Sequence, residues 1–226
     1  MMTNLFSIFD PTNSNWSSMN WMTPLMCLMI MPYMLWIIPS NNNIMWMKIL
    51  NNLSNEIKTI LKNSKKKNMF VMISIIFMIM MINFFSLTPY IFTNSAHLTF
   101  SLSLSLPLWI SFMMFGWSQN TMKMFVHLVP QGTPPPLMPF MVLIESISNI
   151  IRPLTLAVRL SANMIAGHLL LTLLSSTGNF LNIFLLSIML LTQYLLLTLE
   201  MSVALIQAYV FSILSTLYCS ESTYEN

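Results

Sequence analysis

Arg159 stands in a long apolar stretch, and the next charged residue, Glu200, comes 41 positions later. An arginine near the middle of a bilayer costs about 2.5–3.5 kcal/mol on insertion scales, and its charge cannot be titrated away. A fixed positive charge in hydrocarbon therefore needs a partner, a water-filled cavity or a function, and ionisable residues at such depth mark candidate ion pathways. Other polar side chains fall into register with it. Glu145, Arg152 and Arg159 are spaced seven apart, so on a helix they lie within about 40° of one another. Asn163 returns to the same stripe, while His168 points well off it. Further along, Glu200 and Gln207 are again seven apart and share a face. No nucleotide-binding loop and no nucleophile arrangement accompanies these residues.

Blander readings compete for some of them. Glu145 and Arg152 by themselves fit a structural ion pair between packed helices. Arg159 does not, because the other intramembrane acid, Glu200, belongs to a different helix. A single histidine such as His168 is, without context, more often a satisfied core residue than a proton carrier. His97 and His127 sit at segment ends and read as loop or interface residues. The 24 methionines read as adaptable packing material. Cys27 and Cys219 lie far apart, in the first and last hydrophobic regions, and read as unpaired packing residues. Without zinc-type Cys/His spacing, neither a metal nor a cofactor is implied.

The elements that must hold these residues are membrane helices. The chain is 56% hydrophobic and 7% charged, with mean hydropathy +0.71, where a soluble domain carries roughly 25% charged residues. Six acids and nine bases could not cover a water-soluble globule of this size. The net charge of +3 does not indicate nucleic-acid binding, because four of the seven lysines (Lys62, Lys65, Lys66 and Lys67) fall in one short stretch. The first twenty residues have no basic region and Asp10 as their one charge, so they resemble neither a signal peptide nor a transit peptide. Many Met, Asn, Ile, Leu and Phe residues with only four glycines suggest an AT-rich organellar genome, hence synthesis inside the organelle.

The expected architecture is all-α, an integral membrane protein of about five membrane helices plus one amphipathic surface helix. Residues 1–20 form a polar N-terminal segment. Span 1 covers 21–39, with Trp16, Trp21 and Trp36 toward its ends. Residues 44–62 carry apolar side chains at helical spacing and read as the surface helix. Lys65, Lys66 and Lys67 mark the inner face. Span 2 covers 69–92 and span 3 covers 98–117. The run of alternating Ser and Leu at 101–106 looks locally like a strand, yet an open strand in lipid leaves its backbone unsatisfied, so helix is expected. Residues 131–139, with four prolines, form a stiff connector. The segments 140–174 and 180–218 would reach roughly 52 and 58 Å as helices, against about 30 Å of hydrocarbon. They are expected to form a long, steeply tilted hairpin that turns at 175–179. The whole chain is one membrane domain.

These residues also carry a resemblance. Arg159-Leu160-Ser161-Ala162-Asn163, then Ala166-Gly167-His168, then Glu200 with Gln207 seven later, resemble the a-subunit family of F-type ATP synthases in its mitochondrial form. The opening Asn4-Leu5-Phe6-Ser7-Ile8-Phe9-Asp10-Pro11 looks like the animal version, and the likeness covers essentially the whole chain. It implies a stator in the mitochondrial inner membrane, multi-pass, with two proton half-channels against a rotating ring of c subunits. Other stator and membrane subunits, lipid and the transported proton would be its partners, with no nucleic acid. Arg159 matches the family's essential arginine facing the ring, and Asn163 and Gln207 match polar residues around it. His168 and Glu200 match an acid–imidazole pair in the intake channel. Glu145 resembles an acid lining the channel to the matrix, and Arg152 is a possible supporting residue beside it.

With the lysine cluster in the matrix, five crossings would set the N-terminus in the intermembrane space and the C-terminus in the matrix. Two alternatives are a membrane subunit of another proton-pumping respiratory complex and a secondary transporter. A transporter usually shows paired internal repeats, and none is visible. A respiratory pump subunit should repeat acids or lysines in several spans, whereas the first three spans carry none.

Overall fold

The computed structural model describes residues 5–12, 19–29, 38–61, 66–88, 91–119, 121–129, 134–178 and 181–222. Every regular element in them is helical. Seven α-helices follow in order: α1 (Thr23–Met29), α2 (Asn41–Leu61), α3 (Lys66–Ser86), α4 (Leu98–Gln119), α5 (Thr121–Leu128), α6 (Met138–Thr177) and α7 (Ile183–Ser222). Short 3-10 turns occupy Leu5–Phe9, Met19–Met22, Asn94–Ala96 and Pro135–Leu137. Among the described residues, α3, α4, α6 and α7 are long and apolar enough to cross a membrane.

Helices α6 and α7 each run 40 residues. At 1.5 Å per residue that is about 60 Å, twice the hydrocarbon thickness, so neither can stand upright and straight in a bilayer. The sequence of α7 contains no proline or glycine to interrupt it. Pro153 lies inside α6, where it removes the hydrogen bond to the Asn149 carbonyl, and the helix continues through it. The chief packing partners are α3 with α7 and α4 with α6. They converge on a central cluster in which Ile79, Leu156, Leu160, Ala208 and Phe211 are buried. Away from this seam the long helices keep their leucines and isoleucines outward, as Ile183, Leu191 and Leu199 do. A helix apolar on all sides belongs in lipid or against another apolar partner.

Several boundaries differ from expectation. Span 1 is described only as the 3-10 turn Met19–Met22 followed by α1, and residues 30–37 of that span lie outside the described set. The helix read at 44–62 begins earlier, at Asn41, where the Ser40 hydroxyl accepts from the Asn43 N–H at 3.4 Å. It packs Trp46 on Phe77 of α3 and buries Ile57 and Leu61. Lys62 and Lys65 lie outside the described residues, and α3 begins at Lys66. Span 2 stops at Ser86 rather than at 92, and the chain then turns through Asn94–Ala96.

The Ser-Leu run is helical, as the backbone argument requires. Ser101 and Ser105 are buried four apart, while Ser103 faces outward and returns its hydroxyl to the Phe100 carbonyl at 2.7 Å. A helix that the periodicity did not reveal, α5, follows α4 closely and carries His127 and Lys123. The proline connector ends sooner than expected. Pro139 lies in the first turn of α6, where its missing N–H would have had no partner anyway. Residues 131–133 lie outside the described set. The turn at 175–179 starts later, since Ser175, Ser176 and Thr177 remain helical and Gly178 keeps a right-handed conformation.

Candidate functional site

Helix α6 passes three settings in succession. Near the start of the helix, Arg152 Nη2 meets Glu145 Oε1 at 3.4 Å, both side chains about one-third exposed. The pair joins residues two turns apart on one helix, as the seven-residue spacing predicts. The Arg152 guanidinium also lies 5.3 Å from the ring centre of Tyr218 on α7, a cation–π contact across the hairpin. Beside them a cavity of about 340 Å3 opens between α4, α5 and α6. Its polar wall is Glu145, Ser146, Asn149 and Arg152, and its apolar wall includes Trp109, Trp117 and Met124.

Two turns further on, Arg159 stands exposed on α6, flanked by the buried Leu156 and Leu160. Among the described residues no carboxylate comes within ion-pair distance of it. Thr155, Val158, Ala162, Asn163 and Ala166 share its exposure. One turn beyond, Asn163 Nδ2 donates to Gln207 Oε1 of α7 at 3.3 Å. Gln207 is buried, and its Nε2 has no partner among the described residues.

The third setting centres on Gly167. A β-carbon there would collide with the carboxylate of Glu200, so the bare backbone admits that side chain from α7. Glu200 is buried and neither of its oxygens has a hydrogen-bond partner among the described residues. His168, the next residue along, turns away and lines a cavity of about 570 Å3. Phe9 meets the imidazole edge-on at 6.4 Å between ring centres, and Nε2 is buried without a partner. The anticipated acid–imidazole pair is thus adjacent but unbonded, because successive residues of a helix point about 100° apart. Gln193 and Leu197 of α7 line the same cavity, and Glu200 lies one turn past Leu197. Between the two cavities no lining residue is shared among the described residues.

Along α6, Glu145 and Arg159 are separated by about 21 Å of helix, and Arg159 and His168 by about 14 Å. From one depth to the next, α6 therefore meets a paired charge, an exposed cation and a neighbourhood in which the Glu200 oxygens and His168 Nε2 lack partners among the described residues. Unpartnered buried polar atoms are costly unless water or a moving proton serves them. Among the described residues no three His, Cys, Asp or Glu side chains converge as a metal set. That arrangement suits the passage of protons and supplies no group for making covalent bonds.

The family model for the ATP synthase A chain matches residues 13–220. ATP synthase subunit a of Locusta migratoria is 57% identical over 223 residues, covering 98% of this chain and 99% of the relative. The Drosophila melanogaster and Anopheles quadrimaculatus subunits are 56% and 55% identical over the same shares. The chain belongs to the ATP synthase subunit a family. As a member it is a membrane stator that forms the proton path of the enzyme's membrane sector. It has no catalytic site of its own, and its partners are other subunits of the ATP synthase. Its location is mitochondrial and its apolar helices make it multi-pass.

The structure adds groups to the site that the sequence reading of this family member passed over. Asn149 lies between Glu145 and Arg152 at helical spacing, and a fuller use of that spacing would have found it. Gly167 required knowledge of what approaches it from α7. A buried polar group at the end of α3, with Asn83, Asn94 and Ser95 each lacking side-chain partners among the described residues, comes from two segments whose proximity no local pattern announces.

Proposed function

We propose that the two cavities are proton half-channels opening on opposite sides of the membrane, and that Arg159 separates them while facing a ring of c subunits. The supporting observation is the exposed Arg159, without a carboxylate partner among the described residues, on a helix face between two cavities that share no wall. A face with a bare cation and several small neighbours suits an apolar partner that presents its own carboxylate. Such a carboxylate crosses lipid only when neutral, and becomes tolerable as an anion near Arg159 or water.

Protons from the intermembrane space enter the cavity at His168, pass Glu200 and neutralise a c-subunit carboxylate leaving Arg159. After rotation they leave past Glu145 and Asn149 to the matrix, with Arg152 holding Glu145 in position. Asn163 and Gln207, bonded across the hairpin, fix α6 against α7 at the depth of the cation. Arg159 repels protons and attracts the arriving anion, so the two half-channels never join directly. Each charge that crosses draws about 2.3 kcal/mol per 100 mV of membrane potential. The side assignment rests on Lys66 and Lys67, which begin α3 at the end of the bundle nearest Glu145 and mark the matrix face.

Replacement of Arg159 tests this reading. In assembled enzyme, Arg159→Gln should abolish ATP synthesis and ATP-driven pumping and raise passive proton leak. Arg159→Lys should fail as well, because an ammonium can lose its proton in a low-dielectric setting and lacks the guanidinium fork. An assembled Arg159→Gln complex that makes ATP at the parental rate would sink the proposal.

A further inference from the structure

We propose that Asp10 is the proton-collecting group at the outer mouth of the His168 cavity, an inference that rests on reading that cavity as the intake half-channel. Asp10 lines the cavity together with His168, yet its own side chain is exposed, which sets it at the boundary between the cavity and solvent. It is the only charged side chain before Lys48. Its placement is tied down on both sides. Before it, Phe9 of the turn Leu5–Phe9 meets His168 edge-on and packs on the cluster containing Met164 and Ala204. After it, the Pro11 carbonyl accepts from Asn20 Nδ2 at 3.3 Å.

The carboxylate is itself oriented. Asp10 Oδ1 accepts from the Thr12 hydroxyl at 2.7 Å and from the Thr12 main-chain N–H at 3.1 Å. These bonds hold the carboxyl below the usual carboxylate range, so it carries a charge throughout the working pH range. The facing elements offer one other titratable group on the cavity wall, His168 of α6. The end of α3 and the loop after it contribute Thr88 and Thr93, and α7 contributes Gln193, none of which titrates here. His97 stacks on Phe92, itself a wall residue, at 5.2 Å. A fixed anion at the mouth of a cleft with low-dielectric walls concentrates cations there and speeds their arrival. Asp10 thereby raises the local proton supply to the water that serves His168.

The test uses the intact enzyme in proteoliposomes, with ATP synthesis followed against the pH of the intake side at low and high ionic strength. Asp10→Asn should raise the half-saturating proton concentration about two- to fivefold at low salt, with the shift exceeding any change in maximal rate. The gap should narrow in about 0.5 M salt, where screening acts over less than about 5 Å. Asp10→Glu should restore most of the parental profile. Asp10→Ser removes the same charge and should shift the profile as far, which supplies the readout if Asp10→Asn fails to assemble. His168→Leu is run alongside. If it stops proton intake while the profiles of the uncharged Asp10 variants coincide with the parent at both salt levels, the collecting role is overturned and the half-channel stands. If His168→Leu leaves intake intact, the reading of the cavity falls and the role of Asp10 falls with it.

Discussion

The two cavities flanking Arg159 differ in how their ionisable groups are satisfied. At the Glu145 end the charges cancel locally, since Arg152 touches Glu145 at 3.4 Å and rests on Tyr218. At the His168 end the carboxylate oxygens of Glu200 and the Nε2 of His168 have no partner among the described residues. The first cavity, about 340 Å3, is walled largely by tryptophan and other apolar side chains, while the second, about 570 Å3, has threonines, Gln193 and Asp10 on its wall. A satisfied pair holds its geometry whether or not a proton passes. Unsatisfied groups are available to accept and release one. The difference suits an intake that must capture protons and an outlet that must release them without trapping a charge.

The sharpest way to break this contrast acts on Gly167. A methyl there collides with the Glu200 carboxylate, the far end of a flexible side chain, so Glu200 can swing aside with little strain in the backbone. Gly167→Ala also favours the helix by about 1 kcal/mol. Assembly and thermal stability should hold, while, if Glu200 relays protons as proposed, proton-driven ATP synthesis falls at least about tenfold through its loss of alignment. Parental flux in an assembled Gly167→Ala complex would show that the position of Glu200 does not matter.

A second experiment asks whether adjacency without a bond is enough for cooperation. His168→Leu and Glu200→Leu should each slow proton intake by about tenfold or more, as expected for loss of a transfer group. The exchange His168→Glu with Glu200→His should recover part of the loss, because the neighbourhood would again hold one acid and one imidazole. Strictly additive losses in a double-mutant cycle on proton flux, with no recovery in the exchange, would mean that the two act separately.

These outcomes bear on what a linear sequence can reveal. The stripe of α6 was legible because Glu145, Arg152, Arg159 and Asn163 belong to one helix, where spacing sets direction. The contact between Asn163 and Gln207 needed the hairpin, which the great length of both segments implied. The gap between His168 and Glu200 was not legible, because it depends on which α7 side chain reaches Gly167. Helix α5 was missed for a different reason. Its eight residues, interrupted by Lys123 and His127, are too few to display a period. Asp10 was legible only as a lone charge, and its relation to His168 depends on how Phe9 folds back onto the bundle.

The smallest effect is expected at the satisfied end, and there a pair of variants separates charge balance from transport. Glu145→Gln leaves Arg152 without its carboxylate, though still over Tyr218. Since both side chains are about one-third exposed, water screens much of the imbalance, and the loss of stability should be about 1 kcal/mol. Adding Arg152→Gln removes the cation that has lost this carboxylate and should return part of that stability. Proton release should follow another rule. If Glu145 carries protons to the matrix, flux stays low in the double variant even as stability returns, and Arg152→Gln alone, which leaves the acid in place, should reduce flux only about two- to threefold. The check is thermal unfolding of the assembled complex alongside ATP-driven pumping. Stability and pumping recovering together in the double variant would reduce Glu145 to a counterion for Arg152, and the outlet would then have to be sought among Asn149 and its neighbours.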